Sequence, residues 1–223
     1  MMNAILNSKP LLLLCSLIIL LLASPFIEET QRGDFLITAI FTGILFSLVR
    51  LVGGHRKPQI AMIILAGSAA LLLWAGEAYP PDTAWLGGEA LYICLNITII
   101  VVALTQLVRA PVVDRDVLIG AVAIYLLIGI TWSLIYSFVH AIDPSSFGDL
   151  IDAEYADWNQ FIYFSFTTLT TLGYGDIVAL SPVARTLSVF EAITGVIFEA
   201  MIIARLVGLY RGSEVAEQSN SAQ

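Results

Sequence analysis

What most constrains this chain is a set of six apolar runs, Pro10–Ile27, Phe35–Val52, Ile60–Gly76, Leu86–Val108, Val117–Val139 and Val183–Leu209. Each is close to the length a helix needs to cross the roughly 30 Å hydrocarbon core of a bilayer. Short connections containing polar residues, Pro or Gly separate them, except before the last run, where a long mixed segment extends from His140 to Pro182. The third run is the weakest, because Gly67, Ser68 and the Ala-rich step lower its hydrophobicity before Leu71–Trp74 restores it. The chain is 58% hydrophobic and only 13% charged, against about 25% charged in a soluble domain. A water-soluble enzyme is all but excluded, and a multi-pass all-α membrane protein in contact with the lipid bilayer is expected.

Lys and Arg number 10 against 18 Asp and Glu, for a net charge of −8. That leaves too few cations for a nucleic-acid-binding stripe or a polybasic lipid anchor, so nucleic acid is not expected as a partner. Cys15 and Cys94 lie in separate apolar runs without the paired spacing of metal or redox motifs, and read as ordinary helix residues. No cofactor is implied. Cations are retained on the cytoplasmic side of membrane proteins. Placing Lys9, Arg50, Arg56, Lys57, Arg109, Arg115, Arg205 and Arg211 inside leaves only Arg32 and Arg185 outside. Both termini then face the cytoplasm in the plasma or inner membrane. The outer connections collect most of the acids, among them Asp143, Asp149, Asp152, Asp157 and Asp176. These either merely solvate loops or form a negative vestibule that concentrates cations. At the N-terminus, Lys9, the apolar Leu11–Leu22 and the small pair Ala23–Ser24 also fit a cleaved secretory leader; the weak positive charge and Pro25 favour a retained helix.

The segment between the last two runs is too mixed to cross the bilayer and too apolar in its middle to be a solvated loop, so it should dip in and return. Trp158–Thr170 reads as a short helix, with Asp157 placed as its N-cap. It runs into Thr171-Leu172-Gly173-Tyr174-Gly175-Asp176. Non-helical backbone at membrane depth is tolerated where it lines water or is buried in protein. Gly173 and Gly175 can take positive φ, so that successive carbonyls turn to one axis instead of alternating as in a strand. Thr171 can add a hydroxyl oxygen, and Tyr174 can act as a rigid outward spacer whose phenol finds a helix partner. The negative C-terminal end of the preceding helix favours a cation in front of it.

The stretch TTLTTLGYGD resembles the selectivity-filter signature of potassium channels. With the resemblance comes that family's established mechanism, in which filter carbonyls replace the hydration shell of K⁺. It implies K⁺ as permeant ion and Thr171, Leu172, Gly173, Tyr174 and Gly175 as its coordinating segment, with Asp176 at the filter mouth. Leu172 stands where Val is commoner, which alters a side chain behind the filter and leaves the oxygens unchanged. The last run, SVFEAITGVIFEAMIIARLVGLY, is similar to the inner helix of two-helix bacterial and inward-rectifier potassium channels. Gly195 falls where those families carry a hinge glycine, and a glycine there is compatible either with bending or with close helix packing. The likeness covers roughly Val117–Tyr210.

Two carboxylates inside an apolar helix are functional candidates, because a charge at membrane depth is expensive. By the resemblance Glu199 lines the water-filled cavity below the filter, where four copies would form a ring able to hold internal Mg²⁺ or polyamines and so block the pore. The other readings are a protonated acid, or one paired with Arg205 of a neighbour. Glu191 is rotated from Glu199 by about 80° on the helix. It is expected behind the filter, accepting hydrogen bonds from pore-helix hydroxyls such as Thr167 or Thr168. Arg185 is expected to pair with an outer acid.

Six spans invite a voltage-sensor reading, yet the fourth run carries only Arg109, at its inner edge, in place of the repeated cations such a sensor needs. The expected architecture is therefore residues 1–112 as a four-helix peripheral region, 113–212 as the pore domain with outer helix, pore helix, filter and inner helix, and 213–223 as a short polar cytoplasmic tail. One filter segment cannot surround an ion, so a homotetramer is expected. An enzyme reading would pair Glu191 and Glu199 with His140 as base, but the two acids lie about 12 Å apart along the helix and His140 belongs near the outer surface. A non-conducting subunit that joins other channels is the remaining alternative.

Overall fold

The computed structural model of the chain describes residues 9–28, 39, 42, 67–68, 71, 84–110, 114–148 and 158–221. Among these residues the architecture is helical: α1 (Lys9–Glu28), α2 (Ala84–Arg109), α3 (Arg115–Ile142), a 3₁₀ turn at Pro144–Ser146, α4 (Trp158–Leu169) and α5 (Pro182–Ser221). Among the described residues three helical segments are long and apolar enough to cross a membrane, Leu86–Arg109, Arg115–Ile142 and Pro182–Arg205, and Pro10–Phe26 is a shorter apolar helix. The expected spans Phe35–Val52 and Ile60–Gly76 lie outside the described residues apart from positions 39, 42, 67, 68 and 71.

Local chemistry sets the helix ends. The Asp114 carboxylate caps α3 by accepting from the Val117 N–H at 2.9 Å, which satisfies one of the first-turn donors that a helix leaves unpaired. At the far end Asp143 closes α3 through its own N–H to the Val139 carbonyl. Its side chain then accepts from Ser145 and starts the 3₁₀ turn, with Pro144 in the first position, where no amide donor is needed. The same device opens α5: the Ser181 hydroxyl accepts from the Ala184 N–H at 3.2 Å, and Pro182 is the first helical residue. The helix continues through the polar residues after Leu209 to Ser221. The expected polar tail is therefore helical, in keeping with its Glu, Ala and Gln content.

α3 is the central element and contributes to every apolar cluster. On one side Leu13, Leu17 and Leu20 of α1 meet Tyr92, Leu95 and Ile99 of α2 and Ala123, Leu127, Ile130 and Leu134 of α3. The three- and four-residue spacings put each set on one face of its helix. Lower on α3, Ala121, Ile124 and Ile128 pack with Ala103 and Leu107 of α2, Leu169 of α4 and Phe198 of α5. Toward its C-terminal end, Tyr136 joins Phe147, Phe161, Phe164 and Ala184. The rings of Tyr136 and Phe164 meet edge to face at 4.9 Å, the orientation favoured by opposite charge on ring face and ring edge. α4 is thus wedged between α3 and α5, and the turn that follows it is held at a defined height.

Candidate functional site

The site is built at the end of α4. The helix stops at Leu169, and Thr171 takes φ 58°, in the left-handed region. Gly173 at φ 54° and Gly175 at φ 77° follow, while Leu172 and Tyr174 between them keep negative φ. The glycines carry no penalty there; a left-handed threonine costs about 1–2 kcal/mol and must be held by its surroundings. The holding bonds come from the helix just left behind. The N–H of Thr171 donates to the Thr168 carbonyl at 3.0 Å, and the N–H of Gly173 donates to the Thr167 carbonyl, also at 3.0 Å. Backbone that alternates in handedness sets successive peptide groups on one side of the chain, unlike a strand.

The outer end of the turn is tied to α4 and to the segment after α3. Asp176 accepts from the Tyr163 hydroxyl at 2.6 Å and from the Ile177 N–H at 3.1 Å. The hydrogen bond from Tyr163 holds the Asp176 carboxyl below the usual range, and the same contact pushes the Tyr163 phenol up to about 12. Beyond it Phe147 and Ala179 form an antiparallel bridge, with the Gly148 N–H on the Val178 carbonyl at 2.8 Å and the Leu180 N–H on the Ser146 carbonyl at 2.8 Å. Arg185 Nε donates to the Ala179 carbonyl at 3.0 Å, so the guanidinium braces the returning segment; of the outer acids expected to supply its partner, Asp149, Asp152, Glu154 and Asp157 lie outside the described residues.

Behind the turn, Glu191 is fully buried, at 0% exposure. Its partners are not the expected threonines. Its oxygens meet Ser165 Oγ at 2.6 Å and the Tyr136 hydroxyl at 2.5 Å, and the Thr167 hydroxyl instead donates to the Phe164 carbonyl at 3.0 Å. Ser165 shares the buried stripe of α4 with Phe161 and Leu169 at four-residue spacing, so it, and not Thr167 or Thr168, is the hydroxyl turned to α5. A hydroxyl in an otherwise apolar stripe is the signal in the sequence; Tyr136, on another helix, had none.

Gly195 lies at a close helix approach, in keeping with the packing reading among the two its sequence context left open. A Cβ there would lie 2.1 Å from the Leu169 carbonyl oxygen, and α5 runs through this position as one helix. Gly129 plays the same part on α3, where a Cβ would meet the Phe166 ring at 2.6 Å. These two close approaches seat the C-terminal half of α4 against both neighbours.

Glu199 lies exposed at the seam between α3 and α5, where its Oε1 accepts from the Tyr125 hydroxyl at 3.1 Å. A groove of about 290 Å³ lined by Ala121, Val122, Tyr125, Phe198 and Ile202 opens beside it. Arg205 is not turned to Glu199 within the chain; its guanidinium donates to the carbonyls of Val108 and Ala110 at the end of α2. On the isolated chain Thr171–Asp176 are all exposed, with Leu172 at 54% and Tyr174 at 68%. Among the described residues no group of His, Cys, Asp and Glu is arranged to hold a metal ion.

Residues 117–211, from the start of α3 into the last turns of α5, match the family model described as ion channel. No curated protein and no solved structure matches the chain. The matched stretch contains α4, the alternating turn, Glu191, Gly195 and Glu199, and this part of the chain is thus similar to an ion channel.

Proposed function

We propose that the chain is one subunit of a homotetrameric, passive, potassium-selective channel of the cell membrane, six-spanning with both termini cytoplasmic. The observation that carries this reading is the alternation of positive φ at Thr171, Gly173 and Gly175 within TLGYGD, at the C-terminal end of a short helix. Four such turns around a common axis supply rings of main-chain oxygens from Thr171, Leu172, Gly173 and Tyr174, which replace the hydration shell of K⁺ as in potassium-channel filters. Gly175 lets the chain leave the axis, and Asp176 marks the outer mouth. The negative end of α4 supports a cation beneath the rings. Glu199 contributes a carboxylate on the cytoplasmic side of the filter, where internal Mg²⁺ or polyamines would bind once Tyr125 releases it.

The exposure of the inner helix supports assembly. Only 17% of the apolar window of Pro182–Arg205 is buried within the chain, against 56% for Arg115–Ile142. Val189, Phe190, Ile193, Val196 and Ile197 are left uncovered, and symmetric copies would cover part of that surface. Flux from liposomes containing the purified protein tests the proposal. K⁺ flux well above Na⁺ flux is expected, with selectivity lost on replacing Gly173 or Tyr174. Equal K⁺ and Na⁺ permeability overturns potassium selectivity, and no flux from a correctly assembled protein favours the non-conducting subunit.

A further inference from the structure

Three oxygen-to-oxygen contacts run through the buried Glu191 carboxyl and Ser165. The Tyr136 hydroxyl lies 2.5 Å from Oε2, Ser165 Oγ lies 2.6 Å from Oε1, and the same Oγ lies 2.7 Å from the Gly129 carbonyl oxygen. Two oxygens at such distances attract only with a proton between them. Tyrosine brings one proton and serine one, while a main-chain carbonyl and an ionised carboxylate bring none. If Glu191 were an anion, the single serine proton would have to serve both of its contacts, and one pair of bare oxygens would face each other in a buried site. A proton on Oε1 closes the count: Glu191 donates to Ser165, Ser165 donates to the Gly129 carbonyl, and Tyr136 donates to Oε2.

The surroundings agree. From α3 the carboxyl meets Tyr136 and from α4 it meets Ser165; on α5 the nearby Ser188 hydroxyl donates to the Ala184 carbonyl at 2.9 Å. Among the described residues none of the groups on Glu191 is a cation, and an unpaired carboxylate at membrane depth is costly to keep charged. We propose that Glu191 is a neutral carboxylic acid in the working protein. It heads a donor relay, Glu191 to Ser165 to the Gly129 carbonyl, that locks α5, α4 and α3 together behind the Thr171–Gly175 turn. Glu191 is thereby a positioning residue whose proton, and not its charge, does the holding. Its importance to conduction rests on the filter reading above; its protonation does not.

Infrared spectroscopy of the purified full-length protein in lipid tests this at neutral pH. The wild type should show a carboxylic-acid C=O band that shifts in D₂O and is absent from Glu191→Gln. Ser165→Ala should keep the band but move it to higher frequency, because the acceptor has gone. Gln supplies one donor and one acceptor in the same places, so Glu191→Gln should assemble as the wild type does; failure of this variant to assemble overturns the proposal. So does a wild-type minus Glu191→Gln difference containing carboxylate bands alone. A protein that passes no K⁺ yet shows the band sinks the channel reading and leaves this one standing. A selective channel without the band does the reverse.

Discussion

Gly195 and Gly129 meet different kinds of neighbour, and their alanine variants should separate accordingly. At Gly195 the obstacle is the Leu169 carbonyl, main chain that cannot swing aside. Gly195→Ala is expected to cost about 3 kcal/mol, the upper part of the overpacking range, read as a lower thermal unfolding midpoint. At Gly129 the obstacle is the tip of the Phe166 ring, a side chain that can shift as a whole where main chain cannot, so Gly129→Ala should cost less in the same measurement. Asp176 gives a second prediction. Tyr163 holds its carboxyl below the ordinary range, so the carboxylate persists into more acidic solution than a free one. Tyr163→Phe should raise that value and move any loss of conductance caused by external acid to higher pH, measured as flux against external pH. The positive φ of Gly173 and Gly175 was legible in the sequence because glycine is the residue that adopts it freely. Thr171 was not, since threonine resists that region and is held there by bonds to Thr167 and Thr168 carbonyls that no sequence offset announces. Helix rotation separates Glu191 from Glu199, but its partners Ser165 and Tyr136 come from other helices, and nothing in the spacing selects them.

Between elements, the contact with the longest reach is Arg205 on the end of α2. A helix C-terminus carries partial negative charge and carbonyls without partners. A guanidinium satisfies two of them at once, here on Val108 and Ala110. Lys can place its charge there but cannot make the fork. Arg205→Gln is expected to lose about 1–2 kcal/mol of stability and Arg205→Lys less, by thermal unfolding of the purified protein. The same contact joins α2 to α5, so any change in ion flux under the proposed function should follow the same order. Of the elements themselves, α2 and α3 begin and end close to the apolar runs that signalled them, because long hydrophobic periodicity is a strong and local cue, whereas α5 begins with its run but continues past Leu209 to Ser221. The bridge between Phe147 and Ala179 was invisible, as it pairs residues from segments that are neighbours only once α4 has folded between them.

At the scale of the whole molecule, the exposed turn and the poorly covered α5 are surfaces that the proposed assembly would cover. Chemical cross-linking of the protein in membranes should give a ladder ending at four chains, and a ladder ending at one or two would exclude the shared axis. The membrane class was legible from composition, and the likeness to ion channels from TLGYGD. Symmetry remains a proposal, since a chain cannot encode in its own spacing what surrounds it.

Trp132 stacks on Tyr136 at 6.0 Å, one ring away from the oxygen that holds Glu191. An indole so close to a hydroxyl whose electron density depends on its hydrogen bond is a built-in optical gauge. Its emission should change colour or yield whenever the clasp behind the turn opens, letting light follow a rearrangement that electrical recording sees only through its effect on current.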